Sequence, residues 1–224
     1  MTLKTIVAIV TGLSAAGFAG AATAATTFTS EANYLTAIGG SADVSENFNS
    51  FLADQSFRNS SFDVGPFSLS SSGSNQNRDT QNQIDTDPFS FGTFADVNGS
   101  PFAHFFLSAG VTTATISFDT AITGFGATFK ELATSTEILL TTNLGTRTIN
   151  QNIGIDVGFF GFTLDAGETA TALTFSSTNR GDGFGMDNVL LSNSTPSPVP
   201  LPAGLPLLLG GMGLLAFMRR RKSS

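Results

Sequence analysis

One histidine and no cysteine occur in the 224 residues. His104 lies inside Phe102-Ala103-His104-Phe105-Phe106, a spacing that suits a strand residue. A catalytic triad needs a base held by a carboxylate and facing a nucleophile. No Gly-x-Ser-x-Gly phrase accompanies this histidine. The expectation for His104 is therefore structural. Zinc sites built from several histidines are excluded by count. Without cysteine, so are disulfides, thiolate metal sites and cysteine nucleophiles. Neither a Walker loop nor a dinucleotide fingerprint is present. Paired carboxylates can cleave sugars. Among 17 acidic residues, however, pairs are easy to find and decide nothing. The expectation is a non-enzymatic protein with no catalytic residue and no organic cofactor.

Hard oxygen donors point instead to calcium. All the acidic residues lie between Glu31 and Asp187, a stretch with only five basic groups and a net charge of −12. Such a domain repels nucleic acid and anionic lipid head groups and attracts cations. A cysteine-free domain can also gain stability from a bound ion. The terminal strands of jelly-roll modules often lie side by side and can hold a structural calcium. Glu46 or Asn49, near the first strand, and Asp187, on the last, are the candidate ligands. No EF-hand loop is present: Asp182-Gly183 and Asp85-Thr86-Asp87 lack the required continuation. The alternative for Asp187 is a turn or strand-end carboxylate that bonds backbone amides.

The elements that must position these groups are short. Phenylalanine occurs 22 times, against one tyrosine and no tryptophan, and Gly, Ser, Thr and Asn fill much of the rest. That composition suits strands and turns, not long helices. Ser30 followed by Glu31-Ala32-Asn33-Tyr34-Leu35-Thr36-Ala37-Ile38 predicts one capped helix with Tyr34, Leu35 and Ile38 on a shared face. Gly39-Gly40 ends it. Beyond it, Phe48, Phe51 and Phe57 introduce a region of period two. Candidate strands are 61–70, 88–94, 102–108, 111–119, 121–130, 135–142, 157–164, 170–177 and 184–192. Ala114, Ile116 and Phe118 alternate with Thr113, Thr115 and Ser117, which gives one buried and one wet face. The stretch 70–87 is dominated by Ser, Asn, Gln and Asp, with Ile84 its only strongly apolar residue, and predicts a long polar loop. Residues 26–194 are long enough for one domain with a real core. The expected fold is all-β, a single jelly-roll-like β-sandwich with one short N-terminal helix, with a β-barrel as the alternative.

The two ends carry different information. Residues 1–25 predict a signal peptide: Lys4, an apolar run, then small residues with Ala22-Thr23-Ala24 as an A-x-A site. Cleavage after Ala24 or Ala25 is expected, by signal peptidase in the general secretion route. At the other end, residues 195–198 form a Pro-rich linker. The 18 residues 201–218 carry no charge. As a helix they reach about 27 Å, close to the ~30 Å of a hydrocarbon core. Arg219, Arg220, Arg221 and Lys222 follow at once, a basic run that stays cytoplasmic and leaves the preceding domain outside.

The tail Val199-Pro200-Leu201-Pro202-Ala203-Gly204, then an apolar helix, then Arg-Arg-Arg-Lys, resembles the PEP-CTERM sorting signal in its VPLPA variant. Leu201 stands where the founding motif has Glu. The resemblance covers 199–224 and implies processing by an exosortase in the inner membrane of a Gram-negative bacterium. It further implies release to, or re-attachment at, the cell surface or extracellular matrix. The family setting implies an association with exopolysaccharide and biofilm. Within the domain, Ile122-Thr123-Gly124-Phe125-Gly126-Ala127-Thr128-Phe129, Gly158-Phe159-Phe160-Gly161-Phe162-Thr163 and Phe184-Gly185-Met186-Asp187-Asn188-Val189 resemble β-sandwich ectodomains of the same family. Those ectodomains share no assigned activity. A carbohydrate-binding, lectin-like module is the alternative function. The lack of Trp and the single Tyr34 argue against it, because Phe has no polar handle for a wet site. A hydrolase is the third reading.

Overall fold

The computed structural model describes residues 25–73, 82–87, 95–151 and 155–193. The expected signal peptide up to Ala24, the candidate strand 88–94, the Pro-rich linker and the whole sorting segment, including 201–218, lie outside them. Among the described residues no helix is long and apolar enough to cross a membrane.

Fourteen strands and one helix follow one another along the described chain. They are β1 (Thr26–Phe28), α1 (Glu31–Ala37), β2 (Val44–Glu46), β3 (Gln55–Ser56), β4 (Ser61–Asp63), β5 (Phe67–Ser72), β6 (Gln83–Asp85) and β7 (Phe102–Ser108). Then come β8 (Thr113–Ile122), β9 (Gly124–Lys130), β10 (Thr136–Thr142), β11 (Gly145–Ile149), β12 (Gly158–Thr163), β13 (Ala170–Ser177) and β14 (Arg180–Ser192). The all-β expectation holds. The strands form two antiparallel sheets. One has eight strands in the order β1-β12-β9-β14-β7-β6-β3, with β2 also on β14; the other has six, β11-β10-β13-β8-β5-β4. From β7 to β14 each successive strand changes sheet, except at the β10–β11 hairpin.

The period-two pattern explains the assembly. Ala114, Ile116 and Phe118 of β8 point inward, and so do Leu173 and Phe175 of β13. They meet Phe105, Phe125, Phe129 and Phe184 from the larger sheet in one continuous core. Ring contacts cross the gap between sheets: Phe105 to Phe175 at 5.8 Å and Phe129 to Phe175 at 6.3 Å between centroids. Each large side chain buried this way contributes about 1.5–3 kcal/mol. Each well-placed ring pair adds roughly 0.5–1.5 kcal/mol.

Two expectations about elements need correction. The candidate strand 61–70 is a hairpin, β4 and β5, with Ser61 opposite Ser70 and Asp63 opposite Ser68. Gly65 at φ 113 turns the chain, and Asp63 Oδ1 accepts from the Gly65 N–H at 2.8 Å. The 70–87 stretch is not a loop throughout. Its first residues finish β5, and Gln83–Asp85 form β6, buried at all three positions. The polar side chains there are paired internally. The Asn82 amide donates to the Phe106 carbonyl at 3.2 Å and accepts from the Phe106 N–H at 3.0 Å, imitating a strand partner.

Helix α1 ends as expected. Gly39 and Gly40 take φ 100 and 104, and the Gly40 N–H reaches the Leu35 carbonyl at 2.7 Å. Ser30 occupies the N-cap with extended backbone, but its hydroxyl makes no capping bond. Tyr34 is fully buried, while Leu35 and Ile38 are half-buried. The helix is seated by glycine. Gly126 faces Gly161 across β9 and β12. The Phe159 ring lies over both, with Tyr34 beside it at 5.7 Å. A Cβ on Gly126 would come within 2.5 Å of the Phe159 ring and 3.0 Å of Tyr34. The Gly-Phe-Gly phrase of β9 is thus a bed for two aromatic rings.

Gly126→Ala is therefore expected to cost roughly 1–3 kcal/mol, the usual penalty of overpacking. Chemical denaturation of the variant measures it. Adding Phe159→Leu should restore part of the loss, and an unchanged Gly126→Ala midpoint would remove the bed from the account.

Candidate functional site

Asp187 sits where β14 breaks its ladder. It pairs with Thr128 of β9, and the next regular pair is Leu190 with Gly126, so a bulge lies between. Asn188 absorbs it at φ 51. On the other edge of β14, β7 pairs as far as Met186 and β2 takes over from Val189 to Leu191. The bulge thus falls where one neighbour ends and another begins.

The Asp187 side chain is completely buried. Its Oδ2 accepts from Asn98 Nδ2 at 2.8 Å and from Ser100 Oγ at 3.4 Å, and its Oδ1 accepts from the Asn188 N–H at 2.7 Å. Asn98 and Ser100 belong to Asp96-Val97-Asn98-Gly99-Ser100, a loop laid over the outer face of the larger sheet. Asp96 Oδ1 closes the loop by accepting from the N–H groups of Asn98, at 3.1 Å, and Gly99, at 2.6 Å. Ala95 and Val97 pack on Phe102 beneath it. Gly185 permits this approach: a Cβ there would lie 1.8 Å from the Ala95 carbonyl oxygen. Burial raises the Asp187 carboxyl above its ordinary value. The bonds from Asn188, Asn98 and Ser100 oppose that shift, and the charge of Glu46 adds to it.

The structure brings two of the three expected ligands into electrostatic range. Glu46, on β2 opposite Val189, faces the same region, and its Oε1 accepts from the Phe48 N–H at 2.5 Å. Asn49 is exposed on the turn beyond, where its backbone N–H bonds Asn47 Oδ1 at 3.2 Å. Asn98 and Ser100 were missed by the sequence reading. Their signal was the alternation of oxygen-bearing residues around a glycine. The donor types suit calcium. As arranged, though, Asn98 turns its NH2 toward Asp187 and its oxygen toward Ser100. Ion binding would require that amide to rotate. No group of three or more His, Cys, Asp or Glu residues capable of holding a metal occurs among the described residues.

An open groove of about 530 Å³ adjoins the bulge, lined by Glu31, Ser45, Glu46, Asn47, Ser50 and Asn188 among others. Among the described residues no aromatic ring lines it. His104 lies elsewhere, opposite Gln83 and Gly185 in its sheet and 2% exposed. Burial pushes its pKa down to about 4, so it is neutral near pH 7. Asp85 and Asp182 accept hydrogen bonds within the fold. Asp85 Oδ1 accepts from the Asp87 N–H at 3.0 Å. Asp182 Oδ2 accepts three hydroxyls, from Ser135, Thr136 and Ser177, and so ties β14 to the opposite sheet. The sorting residues Val199, Pro200, Leu201, Pro202, Ala203 and Gly204 and the basic run 219–222 lie outside the described residues. No family model and no curated protein matches the chain.

Calcium at Asp187 is tested by melting. Millimolar calcium is expected to raise Tm, EDTA to reverse the rise, and Asp187→Asn to abolish it. At a hundredfold excess over Kd the linkage is about 2.7 kcal/mol, on the order of 5–10 °C for a domain of this size. No shift would remove the ion.

In EDTA, two buried groups tilt the pH profile in opposite senses. His104 binds its proton less tightly when folded. Its contribution is complete above about pH 6.5 and is lost as pH falls toward about 4. Asp187 binds its proton more tightly when folded. Its contribution is present below the ordinary carboxylate range and is lost as pH rises through the raised value. Denaturation midpoints against pH should lose the part of the slope between about pH 4 and 6.5 in His104→Gln, and the part above the ordinary carboxylate range in Asp187→Asn. Profiles that match the unsubstituted protein would refute both assignments.

Proposed function

We propose that this chain is a non-enzymatic exported protein of the cell surface or extracellular matrix. In this reading an exosortase processes its C-terminal tail, and the exterior domain works in association with exopolysaccharide. The carrying observation is the order of three features at one terminus: the Val199-Pro200-Leu201-Pro202-Ala203-Gly204 phrase, the uncharged stretch 201–218, and the run Arg219-Arg220-Arg221-Lys222. The Lys4-led signal pattern supports the same orientation. Calcium bound near Asp187 is part of this reading, as a stabiliser and not as a reagent.

The domain itself is read as a jelly-roll-like sandwich. Its support is the order β12-β9-β14-β7 in one sheet and β11-β10-β13-β8 in the other. That is how eight consecutive strands lie when a long antiparallel ribbon is wrapped around a core. Such a fold hosts many functions, so the functional reading rests on the tail and not on the fold.

The second reading, a carbohydrate-binding module, draws on the groove beside the bulge. Its carboxylates Glu31 and Glu46 and its amides Asn47 and Asn188 suit the hydroxyls of a sugar. No aromatic platform accompanies them, because the large exposed hydrophobic residues among those described are all aliphatic. Saturable binding to defined glycans on an array would favour this module over a matrix protein. Hydrolysis of a glycan or peptide by the purified protein would favour an enzyme.

Processing is tested at the prolines. Proline disfavours helix at its own and the preceding position, so the Pro200-Leu201-Pro202 phrase suits a protease cleft that takes extended chain. A plain anchor is indifferent to them. Replacing both with Ala should make the unprocessed, membrane-bound form accumulate, and loss of the host exosortase should do the same. Unchanged size and location in both cases would leave only a tethered β domain.

A further inference from the structure

Both ends of the described domain leave from one end of the larger sheet. Thr26 of β1 pairs with Thr163, Thr163 with Gly124, and Gly124 with Ser192 of β14. These residues form one row across four strands, so the exits lie about 14 Å apart at three strand spacings. The C-terminal exit is fastened. Asp43 Oδ2 accepts from the Asn193 N–H at 2.7 Å and from Ser192 Oγ at 3.3 Å, and the Thr123 N–H reaches the Ser192 carbonyl at 2.7 Å. The chain is therefore held to the sheet up to Asn193.

Only the seven residues 194–200 separate that point from the uncharged stretch. Fully extended they reach about 25 Å, and as polyproline II about 22 Å. The domain is longer. The 13 residues of β14 span about 40 Å from Ser192 to the opposite end. At that far end lie Arg180, paired with Ser108, and the β7–β8 turn that carries Val111.

We propose that the short leash fixes how the domain stands on the membrane. The end carrying both termini faces the bilayer, and the far end is the surface offered to partners. This rests on the reading of 201–218 as a membrane span. Inversion would lift Asn193 about 40 Å off the bilayer, beyond the reach of the linker. The signal peptide, before its removal, pulls on the same end, because Thr26 stands in the same row as Ser192. The far end then displays the groove of about 350 Å³ lined by Ser135, Thr136, Glu137, Gln151 and Thr178. The near end, with the exposed Leu144 of the β10–β11 turn, is shielded until the tail is cut.

The absence of cysteine makes the test clean. Full-length Leu144→Cys and Val111→Cys are each labelled with a donor dye and reconstituted in vesicles carrying acceptor dye on the head groups. Leu144 is 72% exposed at the near end and Val111 54% exposed at the far end. Energy transfer should be at least twofold stronger from Leu144, and the difference should vanish when the tail is removed. Equal or reversed transfer from protein that sediments with the vesicles overturns the orientation while leaving the tether intact. Protein that fails to sediment overturns the tether, and the orientation with it.

Discussion

Phenylalanine packed between two sheets does here what disulfides do in many small domains. Phe105 stacks on Phe184 at 4.8 Å and 14°, and Phe184 meets Phe175 of the opposite sheet at 5.2 Å. Phe129 touches Phe160, Phe175 and Phe184 in turn. These rings join β7, β9, β12 and β14 to β13. Phe carries no polar atom, so a dry core of this kind leaves no side-chain donor unsatisfied. Tyr34, the one tyrosine, lies outside that core under α1, where its hydroxyl reaches the Leu190 carbonyl at 3.3 Å.

Because the core is apolar, polar work is pushed to the outer face and the ends. The outer face of the larger sheet is itself covered over β7 and β14 by the 95–100 loop. Phe102 packs under that loop, Ala103, Phe105 and Leu107 face the core, and the lone histidine between them is buried and therefore neutral near pH 7. The same cover buries Asp187. A buried carboxylate is costly unless hydrogen-bonded or paired with a cation. Asn98, Ser100 and the Asn188 N–H offset part of that cost. What remains is the physical reason that this position, and not any of the exposed acids, is the place to look for an ion.

The bulge at Asp187 links site and topology. It lets β14 pass from one edge partner, β7, to another, β2, and it brings Glu46 toward Asp187. Beyond it β14 runs on to Ser192, where Asp43 fastens the exit beside the start of β9. The bulge residues Asn188 and Val189 themselves line the acidic groove.

Alternation along β8 and β13, a composition rich in Phe and turn residues, and glycine at the end of α1 were enough to expect an all-β domain with one short helix. Period two reports which face is buried, and it does so locally. Charge and hydropathy likewise carry the expectations for the two terminal segments, which need no fold. Four things were beyond a local pattern. The 61–70 run hid a turn, because Gly65 acts through its φ and not its hydropathy. The Gln83–Asp85 strand read as loop, because the Gln83 amide finds its partner at distant Asp54 and the preceding Asn82 finds its own at Phe106. Asp187 was legible as a candidate, with Glu46 or Asn49 as its partner. Asn98 and Ser100, 89 and 87 residues before it in the chain, were not. Finally, that both chain ends leave from one end of a sheet is a matter of register across four strands. Register is decided only when the strands meet, since a one-residue slip would turn every side chain to the opposite face.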